Sequence, residues 1–149
     1  MQRMRFWLIV VAIGLLAGCA TQNVSHAPGA DLSKAKTFYV QKLSADQRGI
    51  EQLFAKQLNQ WGYQATAGTT DKPAAPVDAI VTYQDRWAWD ITMYMLRLNV
   101  QIRDGESGTI LASAESYRPS LERLAPEEMV KEVLQAALKR PSAAPSPTK

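Results

Sequence analysis

Met93-Tyr94-Met95-Leu96-Arg97-Leu98-Asn99-Val100-Gln101-Ile102-Arg103 has the cleanest two-residue period in this 149-residue chain. Successive side chains of an extended chain point to opposite sides. Tyr94, Leu96, Leu98, Val100 and Ile102 therefore share one face, and Met93, Met95, Arg97, Asn99, Gln101 and Arg103 share the other. This predicts a strand with one buried and one wet face. Upstream, residues 78–90 alternate in the same way, with Ala79, Val81, Tyr83, Asp85, Trp87 and Trp89 on one side, and Asp90-Ile91-Thr92 provides the turn between the two strands. Downstream, Asp104-Gly105-Glu106-Ser107-Gly108 has hairpin-turn chemistry, and residues 109–117 alternate again. Three strands joined by tight turns make an antiparallel meander. Small residues at Ala112, Ala114 and Ser116 leave room for a helix to lie close to the third.

Around the meander the period changes. Ile50, Leu53, Phe54, Leu58 and Trp61 form one helical stripe, with Ser44 and Gln47 in a capping-box pattern before it and Gly62 placed to end it. Residues 37–43 and 63–66 read as strands flanking that helix, and residues 68–77, with Pro73 and Pro76, as a loop. Met129, Val130, Val133, Leu134, Ala137 and Leu138 form a second stripe. Pro126 opens it, Glu127 and Glu128 sit at its positive end, and Lys139, Arg140 and Pro141 close it. The fold class expected is α+β, in two layers. A mostly antiparallel sheet of four or five strands carries both helices on one face, their stripes buried against Tyr94, Leu96, Leu98, Val100 and Ile102.

The amino terminus says where such a domain belongs. Arg3 and Arg5 precede an apolar run from Phe6 to Leu16 that is short for a bilayer span, and small residues Ala17-Gly18 lead into Cys19. This predicts a cleaved signal over residues 1–18 and a flexible tether over 19–36. A domain over 37–140 and a disordered Pro/Ser/Ala tail over 141–149 follow. Arg3 and Arg5 are two of the 17 Lys and Arg, so beyond the leader the balance is 15 to 14 acidic residues, and charge gives no case for nucleic acid. One Cys and one His exclude an internal disulfide and argue against a Cys/His metal site; His26, in the tether, reads as solvated. No cofactor is implied.

Asp85, Trp87, Trp89, Asp90 and Tyr94 gather aromatic rings and carboxylates at one end of the first hairpin. Two readings stand side by side. The rings could stack on a glycan or pack on a partner, with the carboxylates accepting hydrogen bonds. Equally, they could be cross-strand pairs lining a covered sheet face. Nothing frames the carboxylates for hydrolysis, and no nucleophile elbow, metalloprotease or phosphate-loop motif occurs, so an enzyme is not expected.

Leu16-Ala17-Gly18-Cys19 resembles the lipobox of bacterial lipoproteins. The resemblance implies cleavage before Cys19, acylation of its thiol (palmitate among the chains) and of the new amino group, and a stable anchor. Ala20 in place of Asp implies the periplasmic face of the outer membrane rather than the inner membrane. The order of elements is similar to small cell-envelope lipoproteins with a domain of unknown function. The matching residues are Thr37-Phe38-Tyr39-Val40, Leu58 with Gly62-Tyr63, Asp78-Ala79-Ile80-Val81-Thr82-Tyr83, and Ile102-Arg103-Asp104 with Ser107-Gly108. It implies a non-enzymatic periplasmic binding or scaffolding domain. The alternatives are an accessory subunit of an envelope assembly or transport machine, and a glycan or lipid carrier. No catalytic or ligand residue carries over.

Overall fold

The long alternating segments pair as expected, and the computed structural model, which describes residues 19–140, builds the rest around them. The expected leader and tail lie outside the described residues. In chain order the elements are β1 (Thr21–His26), β2 (Thr37–Gln41), α1 (Ile50–Gln60), β3 (Gln64–Gly68), β4 (Ala79–Asp90), β5 (Thr92–Asp104), β6 (Ile110–Tyr117), a 3-10 turn (Ser120–Glu122) and α2 (Pro126–Ala137). They form one open six-stranded sheet in the order β1-β6-β5-β4-β2-β3. The β1/β6, β6/β5 and β5/β4 pairs are antiparallel, whereas β2 runs parallel to both β4 and β3. The α+β class holds, with six strands in place of four or five.

Both helices pack on one face. Ile50, Phe54 and Leu58 of α1 and Met129, Val130, Val133 and Leu134 of α2 are buried in one cluster with Phe38, Val40, Val81, Leu98, Val100 and Ile102. Each large apolar side chain so buried contributes about 1.5–3 kcal/mol. Ala112, Ala114 and Ser116 are buried beneath α2, as their size allows. The Ser116 hydroxyl donates to Glu132 Oε2 at 2.7 Å, and Glu132 pairs with Arg118.

One expectation about the core is corrected. Tyr94 and Leu96 are not in it; Met95 is. The β4/β5 register runs Asp85 to Leu98 and Arg86 to Arg97, then jumps to Trp87 opposite Met95, which leaves Leu96 without a partner. This is a β-bulge, and one extra residue reverses the face of everything beyond it. Met95 therefore joins the core side, opposite Trp87, which keeps the face of Val81 and Tyr83, while Tyr94 passes to the other.

The helix boundaries differ from expectation at one end only. α1 begins at Ile50 rather than behind Ser44, because Asp46 does the capping. Its Oδ1 accepts from Arg48 N–H at 2.6 Å and its Oδ2 from Ile50 N–H at 2.7 Å, with Gly49 at φ 73. At the other end Gly62 takes φ 88, Gly62 N–H donates to Asn59 O, and Tyr63 N–H donates to Leu58 O, a Schellman motif.

The tether expectation is corrected as well. Residues 21–26 pair with β6 from Thr21 opposite Tyr117 to His26 opposite Ala112. Thr-Gln-Asn-Val-Ser-His has no apolar period because an edge strand can be held by its ladder alone. His26 is not merely solvated: its Nε2–H donates to Ala137 O, at the end of α2, at 2.9 Å.

Thr37, Asp78, Asp104 and Ser107, among the residues that carried the envelope-lipoprotein resemblance, meet at one junction. Asp78 Oδ2 accepts from Lys36 N–H, Thr37 N–H and the Thr37 hydroxyl, fixing β2 beside β4. Asp104 Oδ1 accepts from Glu106 N–H, Ser107 N–H and the Ser107 hydroxyl, fixing the β5–β6 turn. Gly105 N–H donates to Asp78 O, and a Cβ on Gly105 would lie 1.8 Å from Val77 O. Gly105→Ala should therefore cost about 1–3 kcal/mol in denaturant unfolding, with backbone shifts at this junction. Phe54→Asp, placing a carboxylate in the centre of the core, should abolish the cooperative thermal transition.

Candidate functional site

Three places bring chemistry-bearing side chains together. The first is the β4–β5 hairpin end, where the sequence put Asp85, Trp87, Trp89, Asp90 and Tyr94. The structure divides them. Trp87 packs partly buried against the core, its Nε1–H donates to Asp85 Oδ2 at 2.5 Å, and the Arg48 guanidinium lies 4.3 Å from its ring centroid. Asp85 thus orients a core-edge tryptophan. Asp90 Oδ2 accepts from Arg123 at 3.3 Å and from the Ser120 hydroxyl. Arg123 also donates to Asp90 O and to the Thr92 hydroxyl and stands 4.4 Å over the Tyr94 ring. Asp90 and Tyr94 therefore dock the 3-10 turn onto the hairpin. Trp89 stands apart at 71% exposure, opposite Met93 at 47%, with Ile91 at the turn 85% exposed and Leu121 of the docked turn 83%.

The second place is the sheet face that carries no helix. There the cross-strand register lines up Gln84, Asn99, Glu115 and Asn23 in one row. Thr82, Gln101, Ser113 and Ser25 form the next. These rows floor an open groove of about 1620 Å³, walled by residues 69–77 and by the 105–108 turn. Tyr39 pins the first wall by donating to Thr70 O at 3.0 Å. Arg103 at the groove donates to Gln101 Oε1, while its Nε is buried without a hydrogen-bond partner. The wet face of β5 was legible in the sequence. Its continuation onto β6 was too, but the further step to β1 was not, because β1 gives no periodic signal.

The third is a buried polar cluster under α1. The Tyr83 hydroxyl donates to Asp46 Oδ2 at 2.7 Å, accepts from Leu43 N–H at 3.3 Å and reaches Glu51 Oε2 at 3.5 Å. Glu51 pairs with Lys42 at 3.5 Å. Burial pushes the Asp46 carboxyl up, but the Arg48 N–H, the Tyr83 hydroxyl and the Ile50 N–H outweigh it and hold it below the ordinary carboxylate value. Burial, reinforced by the bond to Asp46, raises the Tyr83 phenol. An ionised cap fully occupied by donors, beside a phenol that stays protonated, is built to hold a helix end rather than to move protons. Among the described residues, no group of three or more His, Cys, Asp or Glu is arranged to hold a metal ion.

The fold has solved counterparts. PelC from Paraburkholderia phytofirmans, solved as a dodecamer, is similar over 82% of this chain and 96% of its own at 14% identity, TM-score 0.53. A point variant of the same protein, also a dodecamer, gives 82%, 95%, 13% and 0.55. A PDZ domain protein from Parabacteroides distasonis aligns over 84% of this chain and 37% of its own at 12% identity, TM-score 0.50. No protein-family model and no curated protein matches the sequence. At these identities the likeness is one of fold: a two-layer α+β domain.

Two outcomes follow from the geometry. Trp89→Ala should leave stability within about 0.5 kcal/mol of the parent, whereas Trp87→Ala should cost about 1–3 kcal/mol in chemical denaturation. Because the Asp46 carboxyl is held below its unfolded value near 4, the stability it adds is present above about pH 4 and lost as pH falls through the folded value. Asp46→Asn should lower stability near pH 7 by about 1–3 kcal/mol and flatten the acid limb of a stability–pH curve.

Proposed function

We propose that this chain is a lipid-anchored protein of the bacterial envelope. It is held through Cys19 at the periplasmic face of the outer membrane, and its domain binds or scaffolds an envelope component without catalysis. The observation that carries this reading is the junction between anchor and fold. The lipobox-like Leu16-Ala17-Gly18-Cys19 is followed, two residues on, by the first strand of the sheet. The domain is then held against the membrane rather than on a long leash.

The open groove supplies the binding surface. Its two rows of amides and hydroxyls, with the Arg97-paired Glu115 carboxylate among them, span four strands and suit a ligand that offers many hydrogen-bonding groups, as a glycan does, better than an acyl chain. The second reading is a subunit of an envelope assembly or transport machine, favoured by the fold's likeness to PelC, which is solved as a dodecamer.

Cys19→Ser should abolish palmitate labelling and leave an uncleaved precursor of altered electrophoretic mobility; unchanged labelling and processing would overturn the anchor. Crosslinking in the native envelope followed by mass spectrometry should then recover either glycan-bearing material or a stoichiometric membrane partner. Recovery of neither would defeat the binding and scaffolding role.

A further inference from the structure

We infer that the β4–β5 hairpin tip is a second membrane contact, in which Trp89, Ile91 and Met93 enter the phospholipid interface beside the acylated Cys19. The inference rests on the lipid-anchor reading and deepens it.

Strand register places the two features at the same end of the sheet. β1 pairs antiparallel with β6, and β6 antiparallel with β5, so β1 and β5 start from one end. Thr21 lies level with Tyr117, and Tyr117 with Arg97, which puts Cys19, two residues earlier, about level with Met95. Ile91 lies four residues further in the same direction. At ~3.3 Å per residue the tip projects about 13 Å past the anchor level. A domain whose Cys19 is at a bilayer therefore presents this hairpin to it.

The chemistry of the tip suits that position. Trp89, Ile91, Met93 and the neighbouring Leu121 are the large apolar residues exposed at this end, and tryptophan favours the membrane interface. Asp90 is paired with Arg123, so the one carboxylate of the turn enters neutralised. Trp89 pairs with Met93 and Asp90 with Thr92, so the ladder satisfies backbone groups almost to the apex. Ile91 sharpens the case. It takes φ 61, a left-handed conformation that strains a β-branched residue and that glycine adopts freely. At 85% exposure its side chain recovers none of that inside the domain.

Trp61 supplies an internal control. β2 runs parallel to β4, toward the tip, so α1 returns from it and ends with Trp61 at the opposite end of the domain. The native acylated chain, purified from membranes, is reconstituted into vesicles of phosphatidylethanolamine and phosphatidylglycerol with brominated acyl chains. Tryptophan fluorescence should be quenched. Trp89→Phe should remove more than half of that quenching, and Trp61→Phe should keep it. Ile91→Gly, which relieves the backbone, should fold at least as stably as the parent and be quenched less. Quenching that is absent from the acylated parent, as for a tip that docks a protein instead, or that survives Trp89→Phe, would overturn the hairpin contact while leaving the anchor standing. Mass spectrometry of the Cys19 peptide reads the anchor separately, and an unacylated peptide would overturn both.

Discussion

The domain depends on a single displaced residue in its central strand. β5 must bury one face under the helical layer, chiefly against α2, along most of its length, and then carry its partner β4 out beyond it. Leu96, left without a counterpart, makes both possible. Below it, Leu98, Val100 and Ile102 face the helices; above it, Met95 takes over the core side of β5, opposite Trp87. Without the extra residue, Met95 and Tyr94 would exchange faces, and the Arg123 guanidinium would lose the ring it now covers.

The bulge also separates two surfaces with different chemistry. On one side of it, toward the β5–β6 turn, the helix-free face is a floor of amides, hydroxyls and the Glu115 carboxylate arranged by strict cross-strand register. On the other, the hairpin runs out into a tip of exposed apolar side chains braced by the Arg123 network. A polar groove and an apolar tip on one sheet ask for different neighbours, and the fold keeps them apart.

Periodicity revealed what packing enforces. The meander, the two amphipathic stripes, the Gly62 stop and the Pro126 start were legible because burial needs those patterns. The β1 strand was hidden because Thr21–His26 is held by main-chain bonds and buries no stripe. The bulge was hidden because Tyr94, Leu96 and Leu98 continue an unbroken alternation, and only the partner strand shows where it slips. Of Asp85, Trp87, Trp89, Asp90 and Tyr94, Trp89 is the one that stands clear of the domain. Asp85, Asp90 and Tyr94 have partners within the chain, which composition cannot display. Asp46 went unread for a related reason: the Ser44/Gln47 pattern nearby offered a more familiar cap.

The seam between β1 and β6 joins segments far apart in the chain. Ser25 meets Ser113 across 88 residues, and His26 reaches the last turn of α2 across 111. Loop closure on that scale is slow compared with forming the meander. A polypeptide made from its amino terminus must therefore hold Thr21–His26 unpaired until nearly everything else has emerged. The sheet's outermost seam is also its final stitch, so a product shorn of its first residues would leave β6 as a bare edge, open to the β1 of another copy.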